Sequence, residues 1–270
     1  MGQATLPPVP LGSELYDSGY FESDRCEGWE DFRSGRGLSA LKRRELERLA
    51  PGPGLRVLDA GCGRGEVLLA CSQRGAEVAG IDYSEAAVAI ARETLAVVAG
   101  ADVRRGDVTA LPWPDDAFDR ALFADVIEHL DPDQADAGLC ELRRVLRPQG
   151  RLLVHTAPNA LFLRLGWPPA RLALRALGRG ESVRAMDGWI AESKRYHVNE
   201  QSLYRLRRAL RRAGFTPVHA WIDPDVVRSG NHHLTQGLDG GGPLGTAARL
   251  AGSRPLRVLL GNDLYATGVA

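Results

Sequence analysis

Residues 57–65 bring an acid and three glycines close together, a combination that suits a nucleotide-type cofactor. Asp59 ends a short apolar run, and Gly61, Gly63 and Gly65 follow it at every second position. Glycine lets the backbone approach a ligand and adopt positive φ angles where side chains would clash. A helix that begins after such a turn directs free N–H groups and the positive end of its dipole at the ligand. The run therefore predicts a cofactor site.

A second acid, Asp82, stands where it can serve the same ligand. It ends the short segment of residues 77–82 and follows Asp59 at the distance that one helix and one strand require. In a βαβ unit this places a carboxylate where it can accept hydrogen bonds from ribose hydroxyls. Helix N-capping is the competing interpretation, but Ser84 is already placed to cap the next helix. We expect Asp82 to bind the ribose.

Apolar periodicity indicates that strands and helices alternate around these acids. Residues 57–58 suit a buried parallel strand, and a helix is expected from Glu66. The leucines of residues 139–146 recur at helical spacing, and Pro148 is expected to help end that helix. Residues 152–154 then suit another strand. The order of elements predicts an α/β sheet whose carboxyl edge carries the acids.

The spacing of the glycines separates two families of cofactor-binding proteins. The dinucleotide fingerprint G-x-G-x-x-G would need glycine at position 66, where this chain has Glu66. The spacing G-x-G-x-G, with Asp59 two residues ahead of it, resembles motif I of the class I S-adenosylmethionine (SAM) dependent methyltransferases. In residues 142–159, the last segment that resembles this family, Gln149 stands where the family pattern has a glycine, which is a mild departure. The later segments that resemble this family, in the expected order, are residues 77–84, 103–108, 118–130 and 142–159.

This resemblance implies SAM as the cofactor and assigns roles to residues around it. Asp107 is implied to bind the adenine amino group and the N–H of Val108 to bind the ring, while Ala124 marks where methyl donor and acceptor meet. Arg33 or Arg36 is expected to pair with the carboxylate of the cofactor, which guanidinium geometry suits. The expected cofactor-binding residues are Asp59, Gly61, Cys62, Gly63, Asp82, Tyr83, Asp107, Val108, Ala124 and Arg36.

Methyl transfer from SAM requires only a few functions of the protein. The sulfonium methyl is already an activated electrophile, so the protein aligns the acceptor, excludes water and removes a proton where necessary. A base with a pKa near neutrality would serve a hydroxyl acceptor. His129 is the first candidate, because it follows the fourth strand beside Glu128, although packing at a helix start explains it equally well. His197, His155 and Asp125 are further candidates, and a thiol, amine or carbanion acceptor would need no base.

The carboxyl-terminal part resembles small-molecule methyltransferases of the ubiquinone-biosynthesis O-methyltransferase type. Its pattern H-x-N-x-x-x-L begins at His197 and is followed by A-G-F at residues 213–215. The resemblance implies a Rossmann-like α/β fold: a seven-stranded sheet with strand seven antiparallel and helices on both faces. Strand six is expected at residues 215–222 and strand seven at 264–269, after a glycine-rich connection at 237–245.

We expect four parts along the chain. Residues 1–50 form amino-terminal lid helices, 51–159 the SAM-binding core, 160–200 a helical insert on the substrate side after strand five, and 201–270 the rest of the same α/β domain.

The insert begins a basic stretch. Residues 160–215 contain 12 Lys or Arg and 4 Asp or Glu, although the whole chain has no net charge. Arg164, Arg171 and Arg175 fall at helical spacing among leucines. Three interpretations stay open: a lid over the substrate pocket, an amphipathic element at a membrane surface that serves a lipid-linked substrate, or recognition of a phosphate, sugar nucleotide or nucleic acid. Nucleic acid is least favoured, since the pI is neutral and the chain shows no basic stripe regularly interleaved with aromatic residues.

Composition excludes several other classes of protein. A chain of 270 residues with 44% hydrophobic residues suits one large α/β domain. It has no long apolar run and no basic, apolar leader at its amino terminus, so a cytoplasmic protein is expected. The four cysteines show no C-x-x-C spacing and the acids after His129 are scattered, so no metal site is assigned.

We therefore expect SAM-dependent methyl transfer to a small molecule, with O-methylation of a natural product, quinone precursor or glycan favoured. Transfer to nitrogen, sulfur or carbon is the nearest alternative. An NAD(P)-dependent oxidoreductase and a non-catalytic partner protein with a SAM-binding fold are the alternatives from other classes. The oligomeric state is left open.

Overall fold

A computed structural model describes residues 15–23, 25–223 and 256–270, and in this part of the chain seven strands form one sheet. The strands are β1 (Arg56–Ala60), β2 (Glu77–Asp82), β3 (Asp102–Arg105), β4 (Phe118–Ala124), β5 (Leu146–Thr156), β6 (Val218–Ile222) and β7 (Leu264–Val269). Their order across the sheet is β3-β2-β1-β4-β5-β7-β6, and β7 runs antiparallel to both β5 and β6. The expected Rossmann-like α/β sheet with an antiparallel seventh strand is confirmed.

Helices cover both faces of this sheet. They are α1 (Ser18–Phe21), α2 (Trp29–Arg33), α3 (Ala40–Leu49), α4 (Glu66–Gln73), α5 (Glu85–Thr94), α6 (Pro132–Val145), α7 (Trp167–Ala176), α8 (Gly180–Ser193), α9 (Leu203–Arg212) and α10 (Leu256–Leu260), with a 3₁₀ turn at Ile127–His129 and a π turn at Phe162–Gly166. Among the described helices, none is both long and apolar enough to cross a membrane.

The core lies on both sides of β4, which pairs in parallel with β1 and β5. Leu122 packs in one apolar cluster with Leu68 of α4, whereas Phe123 packs in the opposite cluster with Leu139 of α6. All four side chains are fully buried or nearly so. Because the sheet is buried on both faces, its central strands contain consecutive apolar residues and do not alternate apolar with polar ones. The packed sheet gives a rigid carboxyl edge on which site residues can stand.

Two element boundaries differ from the sequence prediction. Helix α6 ends before Leu146, which was expected in its apolar stripe but is the first residue of β5, opposite Phe118 of β4. Strand β6 begins at Val218 and not at residue 215, after Pro217, which has no N–H to donate to a strand ladder. Both boundaries depend on pairing with a strand that is distant in sequence.

The helices of the insert follow β5 directly. Pro168 and Pro169, which predict a division of this segment into two pieces, do not break it: the chain is helical without interruption from residue 160 to 176, and a π turn at Phe162–Gly166 leads directly into α7. Helices α7 and α8 pack through a separate apolar cluster that contains Phe162, Trp167, Val183 and Met186. The glycine-rich connection expected at 237–245, like residues 1–14 of the expected lid, lies outside the described residues.

Candidate active site

A cavity of about 1040 Å³ opens at the carboxyl edge of the sheet. The ends of β1, β2, β4 and β5 form its floor. Its walls are α3, α8 and the amino-terminal segment, whose lining residues run from Tyr16 to Glu27. The expected site residues that line it are Asp59, Gly61, Cys62, Gly63, Asp82, Tyr83, Asp107, Val108, Ala124, Asp125, His129, His155 and His197. The fold therefore gathers nearly all of the expected residues in one space, although their roles toward a cofactor stay predictions.

The glycine turn after β1 has the geometry expected of a cofactor cradle. Gly61 has a φ of 92°, and a Cβ atom there would collide with Cγ2 of Val126. Gly65, with a φ of 76°, is the N-cap residue of α4. Only glycine reaches both backbone conformations without strain. The N–H groups of Gly61 and Cys62 donate to the carbonyl oxygen of Ile81, and that of Gly65 donates to the carbonyl oxygen of Cys62, so the turn is held firmly at the amino end of α4.

Asp82 is buried at the end of β2, where its carboxylate accepts two backbone N–H groups, one from the glycine turn and one from the residues that follow β2. Its Oδ2 accepts the N–H of Gly63 at 3.0 Å, and its Oδ1 accepts the N–H of Ser84 at 2.9 Å. Burial raises the pKa of Asp82 to about 6, although these N–H groups act in the opposite direction. Ser84, as expected, caps α5 by accepting the N–H of Ala87. The carboxylate is thus held rigidly beside the glycine turn.

Asp107 and Asp59 complete the acidic floor. Oδ1 of Asp107 accepts both the N–H and the hydroxyl of Thr109 at 2.8 Å, which leaves Oδ2 for a further donor. Asp59 is buried in β1, and burial, reinforced by the charge of Glu45, raises its pKa well above the usual value. The floor therefore offers acceptors to a ligand rich in hydroxyl and amino groups.

His129, which also lines the cavity, holds a fixed orientation. Its Nδ1 lies 3.0 Å from the carbonyl oxygen of Tyr196 and 2.8 Å from the hydroxyl of Tyr16. A carbonyl oxygen can only accept, so Nδ1 carries the proton and the lone pair of the neutral ring is on Nε2. Burial lowers the pKa of His129, and the carbonyl of Tyr196 only partly opposes this, so the ring is neutral at pH 7.

Two neighbours of His129 also line the cavity. The imidazole rings of His129 and His197 are 4.8 Å apart, and burial lowers the pKa of His197 to about 3. Glu128 is buried, and its Oε2 accepts the hydroxyl proton of Thr156 at 2.8 Å. Burial and the nearby Asp125 raise the pKa of Glu128 to about 8, so this carboxyl is neutral at pH 7. Sequence reasoning treated Glu128 only as a neighbour of His129.

Asp125 and His155 are bound to each other. Oδ1 of Asp125 lies 2.8 Å from Nδ1 of His155, and Oε1 of Glu45 lies 3.4 Å from the same nitrogen. Burial alone would raise the pKa of Asp125, but His155 holds it below its usual value. Burial acts in the opposite sense on His155, yet Asp125 keeps its pKa well above the usual value. An ion pair of this kind makes both residues poor proton acceptors at pH 7.

The structure does not bring Arg36 to the cavity. Its guanidinium binds Asp31 at 2.8 Å, and 61% of its side chain is exposed. Arg33 is likewise held at the surface, by Glu30. The acids of this short helical turn lie close enough in sequence to capture both arginines locally. The expected contact of Arg36 with the cofactor therefore has no support from its position.

A different arginine closes the amino-terminal segment over the glycine turn. Arg64 is buried and donates to the carbonyl oxygens of Phe21 and Glu27, at 2.8 and 2.6 Å. It also binds Glu66 at 2.6 Å, and Glu66 binds Lys42 of α3 at the same distance. Sequence reasoning passed over Arg64, because the variable positions of a glycine motif give no signal that they reach a distant segment.

The insert supplies one wall of the cavity. Met186 and Trp189 of α8 face it together with small and polar residues of the same helix. The insert arginines lie away from this wall: Arg164 and Arg175 are exposed, and Arg171 pairs with Asp187 at 2.8 Å. This placement favours the interpretation of the insert as a cover for the pocket.

A family model described as a methyltransferase domain matches residues 57–150. The malonyl-[acyl-carrier protein] O-methyltransferase of Erwinia pyrifoliae is 32% identical over 206 residues, which are 73% of this chain and 70% of that protein. The demethylmenaquinone methyltransferase of Beutenbergia cavernae is 38% identical over 133 residues, 47% of this chain and 52% of that protein. The chain spans about half the length or less of several such relatives.

Solved structures agree on the fold. A SAM-dependent methyltransferase from Archaeoglobus fulgidus superimposes with a TM-score of 0.56 at 20% identity, covering 85% of this chain and 93% of that one. The glycine turn departs from the dinucleotide fingerprint, because Glu66 opens α4 where that fingerprint has its third glycine. The chain belongs to the class I SAM-dependent methyltransferases, and its cofactor is S-adenosylmethionine.

Proposed function

We propose that this protein transfers the methyl group of SAM to a hydroxyl group of a small molecule with an apolar body. The observation that carries the proposal is the free Nε2 of His129, which lies in the same cavity as the glycine turn and Asp82. The malonyl-[acyl-carrier protein] O-methyltransferase among the relatives supports transfer to oxygen, and the demethylmenaquinone methyltransferase supports an apolar substrate.

The cofactor end of the cavity fits SAM in shape and in chemistry. The glycine turn removes side-chain bulk at Gly61 and Gly63, and Asp82 is held where it can accept ribose hydroxyls. Oδ2 of Asp107 is available for the adenine amino group. When bound, SAM supplies an electrophilic methyl group on a sulfonium ion. The protein's task is then to place the acceptor in line with that methyl.

Aromatic and apolar side chains define the acceptor end. Met186 and Trp189 of α8 line the cavity together with Tyr16 and Tyr20 of the amino-terminal segment. These surfaces exclude water and favour an acceptor with an apolar or aromatic body. Polar groups are concentrated near His129, so the acceptor hydroxyl would be oriented there.

His129 is the residue we assign to proton removal. Its neutral ring has the lone pair on Nε2, which can accept the hydroxyl proton as the methyl group is transferred. Glu128 does not compete, because its carboxyl is neutral at pH 7, and Asp125 is bound to His155. The weakly basic His197 beside it can orient the hydroxyl but is a poor proton acceptor at its lowered pKa.

The test is methyl transfer from labelled SAM to matched panels of phenols, alcohols, thiols and amines, with wild type and His129→Ala. We expect a hydroxyl acceptor, and we expect His129→Ala to reduce kcat about 10²- to 10⁴-fold. Affinity for S-adenosylhomocysteine should change less than about twofold, since His129 lies at the acceptor end. Because only neutral His129 accepts a proton, the wild-type rate should fall as the pH drops through its lowered pKa.

His219→Ala is the matched control, because His219 is an exposed residue of β6 outside the cavity lining. It should leave both rate and affinity unchanged. Transfer to thiols or amines alone would contradict the hydroxyl assignment. Full activity of His129→Ala toward a hydroxyl acceptor would remove His129 from the mechanism.

A further inference from the structure

Tyr16 connects the two ends of the cavity. Its side chain is buried, and its hydroxyl lies 2.8 Å from Nδ1 of His129. Its backbone carbonyl accepts the hydroxyl proton of Ser84 at 2.6 Å. Ser84 in turn donates its N–H to Asp82, the expected ribose-binding acid. One residue of the amino-terminal segment therefore contacts both the candidate base and Ser84, which follows the expected ribose-binding acid.

Aromatic packing fixes the ring of Tyr16. Its centroid lies 4.9 Å from that of Tyr20, 5.4 Å from that of Tyr83 and 6.0 Å from that of Tyr196, in edge-to-face arrangements. Edge-to-face contacts of this kind favour one orientation of the ring, so they hold it in place. Burial raises the pKa of Tyr16, so its hydroxyl stays protonated throughout the working pH range.

The hydrogen-bond chemistry at Nδ1 of His129 decides what this contact does. The carbonyl of Tyr196 requires a proton on Nδ1, so the Tyr16 oxygen is a second acceptor for the same N–H. Two acceptors on Nδ1 disfavour the other neutral tautomer, in which Nε2 would carry the proton. They also hold the imidazole plane, since one lies on the amino-terminal segment and the other follows α8.

We propose that Tyr16 is a positioning residue, whose hydroxyl keeps the lone pair of His129 on Nε2 and whose carbonyl ties this arrangement to the cofactor turn through Ser84. The proposal rests on the assignment of His129 as the proton acceptor. It adds that the base is assembled only when the amino-terminal segment is seated on the turn.

Other titratable groups also face His129 and set its basal pKa. They are Asp125 after β4, the neighbouring Glu128, and His197 after α8. None of them contacts Nδ1, so replacing Tyr16 by phenylalanine removes one acceptor and leaves these charges in place. An acceptor on Nδ1 stabilises the protonated ring, so its loss should lower the pKa of His129.

The experiment compares wild type, Tyr16→Phe and Tyr20→Phe by ¹⁵N NMR of the histidine rings across pH, with signals assigned through His129→Ala. In Tyr16→Phe we expect the His129 midpoint to fall by about one pH unit, a factor of ten or about 1.4 kcal/mol. We also expect a larger share of the tautomer with the proton on Nε2. Tyr20→Phe changes a ring of the same cluster and should leave both signals unchanged.

Kinetics supply the second readout, once an acceptor is known. Tyr16→Phe should lower kcat about tenfold, and it should move the acid limb of the rate profile to lower pH by the NMR shift. Affinity for S-adenosylhomocysteine should stay within about twofold, because the phenylalanine keeps the ring and the Ser84 contact. A purely structural role would lower stability and leave the pH profile in place.

The outcomes separate this proposal from the function on which it rests. Unchanged tautomer and pKa of His129 in Tyr16→Phe would overturn the positioning role, whatever the activity. An unaltered rate profile, despite the NMR change, would overturn it as well. Full activity of His129→Ala would instead refute the proposed function, and the NMR result on Tyr16 would stand independently of it.

Discussion

Replacing Asp82 by asparagine tests how one carboxylate can serve both the fold and the cofactor. The carboxylate accepts two backbone N–H groups, from Gly63 and Ser84, and is buried beside the glycine turn. Asparagine keeps the size of the side chain and one carbonyl oxygen, but its amide nitrogen can only donate. One of the two N–H groups therefore loses its acceptor, and the ribose hydroxyls lose a charged partner.

The magnitude follows from these contacts. A buried N–H without a partner costs about 1–3 kcal/mol, so Asp82→Asn should lower the free energy of unfolding by that amount. A hydrogen bond to a charged group is worth about 1.5–3 kcal/mol, so the affinity for S-adenosylhomocysteine should fall about 10- to 100-fold. The fold should persist, because a domain of this size has a stability of about 5–15 kcal/mol.

Asp119→Asn is the matched control, because Asp119 accepts the N–H of Arg56 at 2.8 Å and pairs with Arg147 at the amino end of β4. It should cost stability but leave affinity unchanged, since it lies at the other edge of the sheet. Urea denaturation measures the first quantity and isothermal titration calorimetry the second.

Titration with pH sharpens the same test. Burial raises the pKa of Asp82 to about 6, and only the ionised form accepts both ribose hydroxyls. Wild-type affinity for S-adenosylhomocysteine should therefore fall, by up to about tenfold per pH unit, as the pH drops below 6. Asp82→Asn should not show this dependence. Equal affinity of variant and wild type at pH 8 would refute the ribose assignment.

Two further substitutions test the turn and the acceptor end. Gly61→Ala forces a φ of 92° on alanine and a collision with Val126, so it should lower the free energy of unfolding by about 2–4 kcal/mol and abolish cofactor binding. Gly52→Ala, where a Cβ meets nothing within 4 Å, should be neutral in both assays, and equal behaviour of the two variants would contradict the cradle. Glu128 has a pKa of about 8 when folded against 4.5 when unfolded, so its burial makes the free energy of unfolding fall as the pH rises from 4.5 to 8. Glu128→Gln should therefore gain on wild type by up to about 1.4 kcal/mol per pH unit in urea denaturation between pH 5 and 8, and a difference independent of pH would contradict the raised pKa.

The cofactor half of the site was predictable because its information is local. Asp59, Gly61 and Asp82 stand at the ends of two strands that adjoin in the sheet, so their spacing along the chain nearly fixes their spacing in space. The positive φ angles of the turn and the close approach of its backbone to neighbouring atoms require glycine, so the spacing of the glycines can be recognised in the sequence. The fold followed from the same local signals, while boundaries such as Leu146 depended on distant strand partners.

The acceptor half was predictable only in part, because it is assembled from segments far apart in sequence. His129 was expected from its place after β4, but its partners Tyr16 and Tyr196 lie 113 and 67 residues away. No periodicity links such residues. Glu45 was missed for the same reason, because the sequence does not distinguish a buried acidic residue of a helix from an exposed one. The expectation for Arg36 finds no support in its position, because Asp31, which precedes it on the same short segment, binds it at the surface.

Different elements support the cofactor half and the acceptor half of the site, so substrate choice can change separately from cofactor binding. The cofactor turn is braced by the sheet and by the buried Arg64, whereas the acceptor wall is formed by α8 and the amino-terminal segment. Substitutions at Met186 or Trp189 change the shape of that wall and also the packing of α7 against α8, because both side chains belong to the cluster between these helices. Tyr16 is the point at which the halves meet, because it contacts His129 on one side and Ser84 on the other. Acceptor preference can therefore change through α8 while methyl-donor binding and base orientation are retained, provided that Tyr16 is kept.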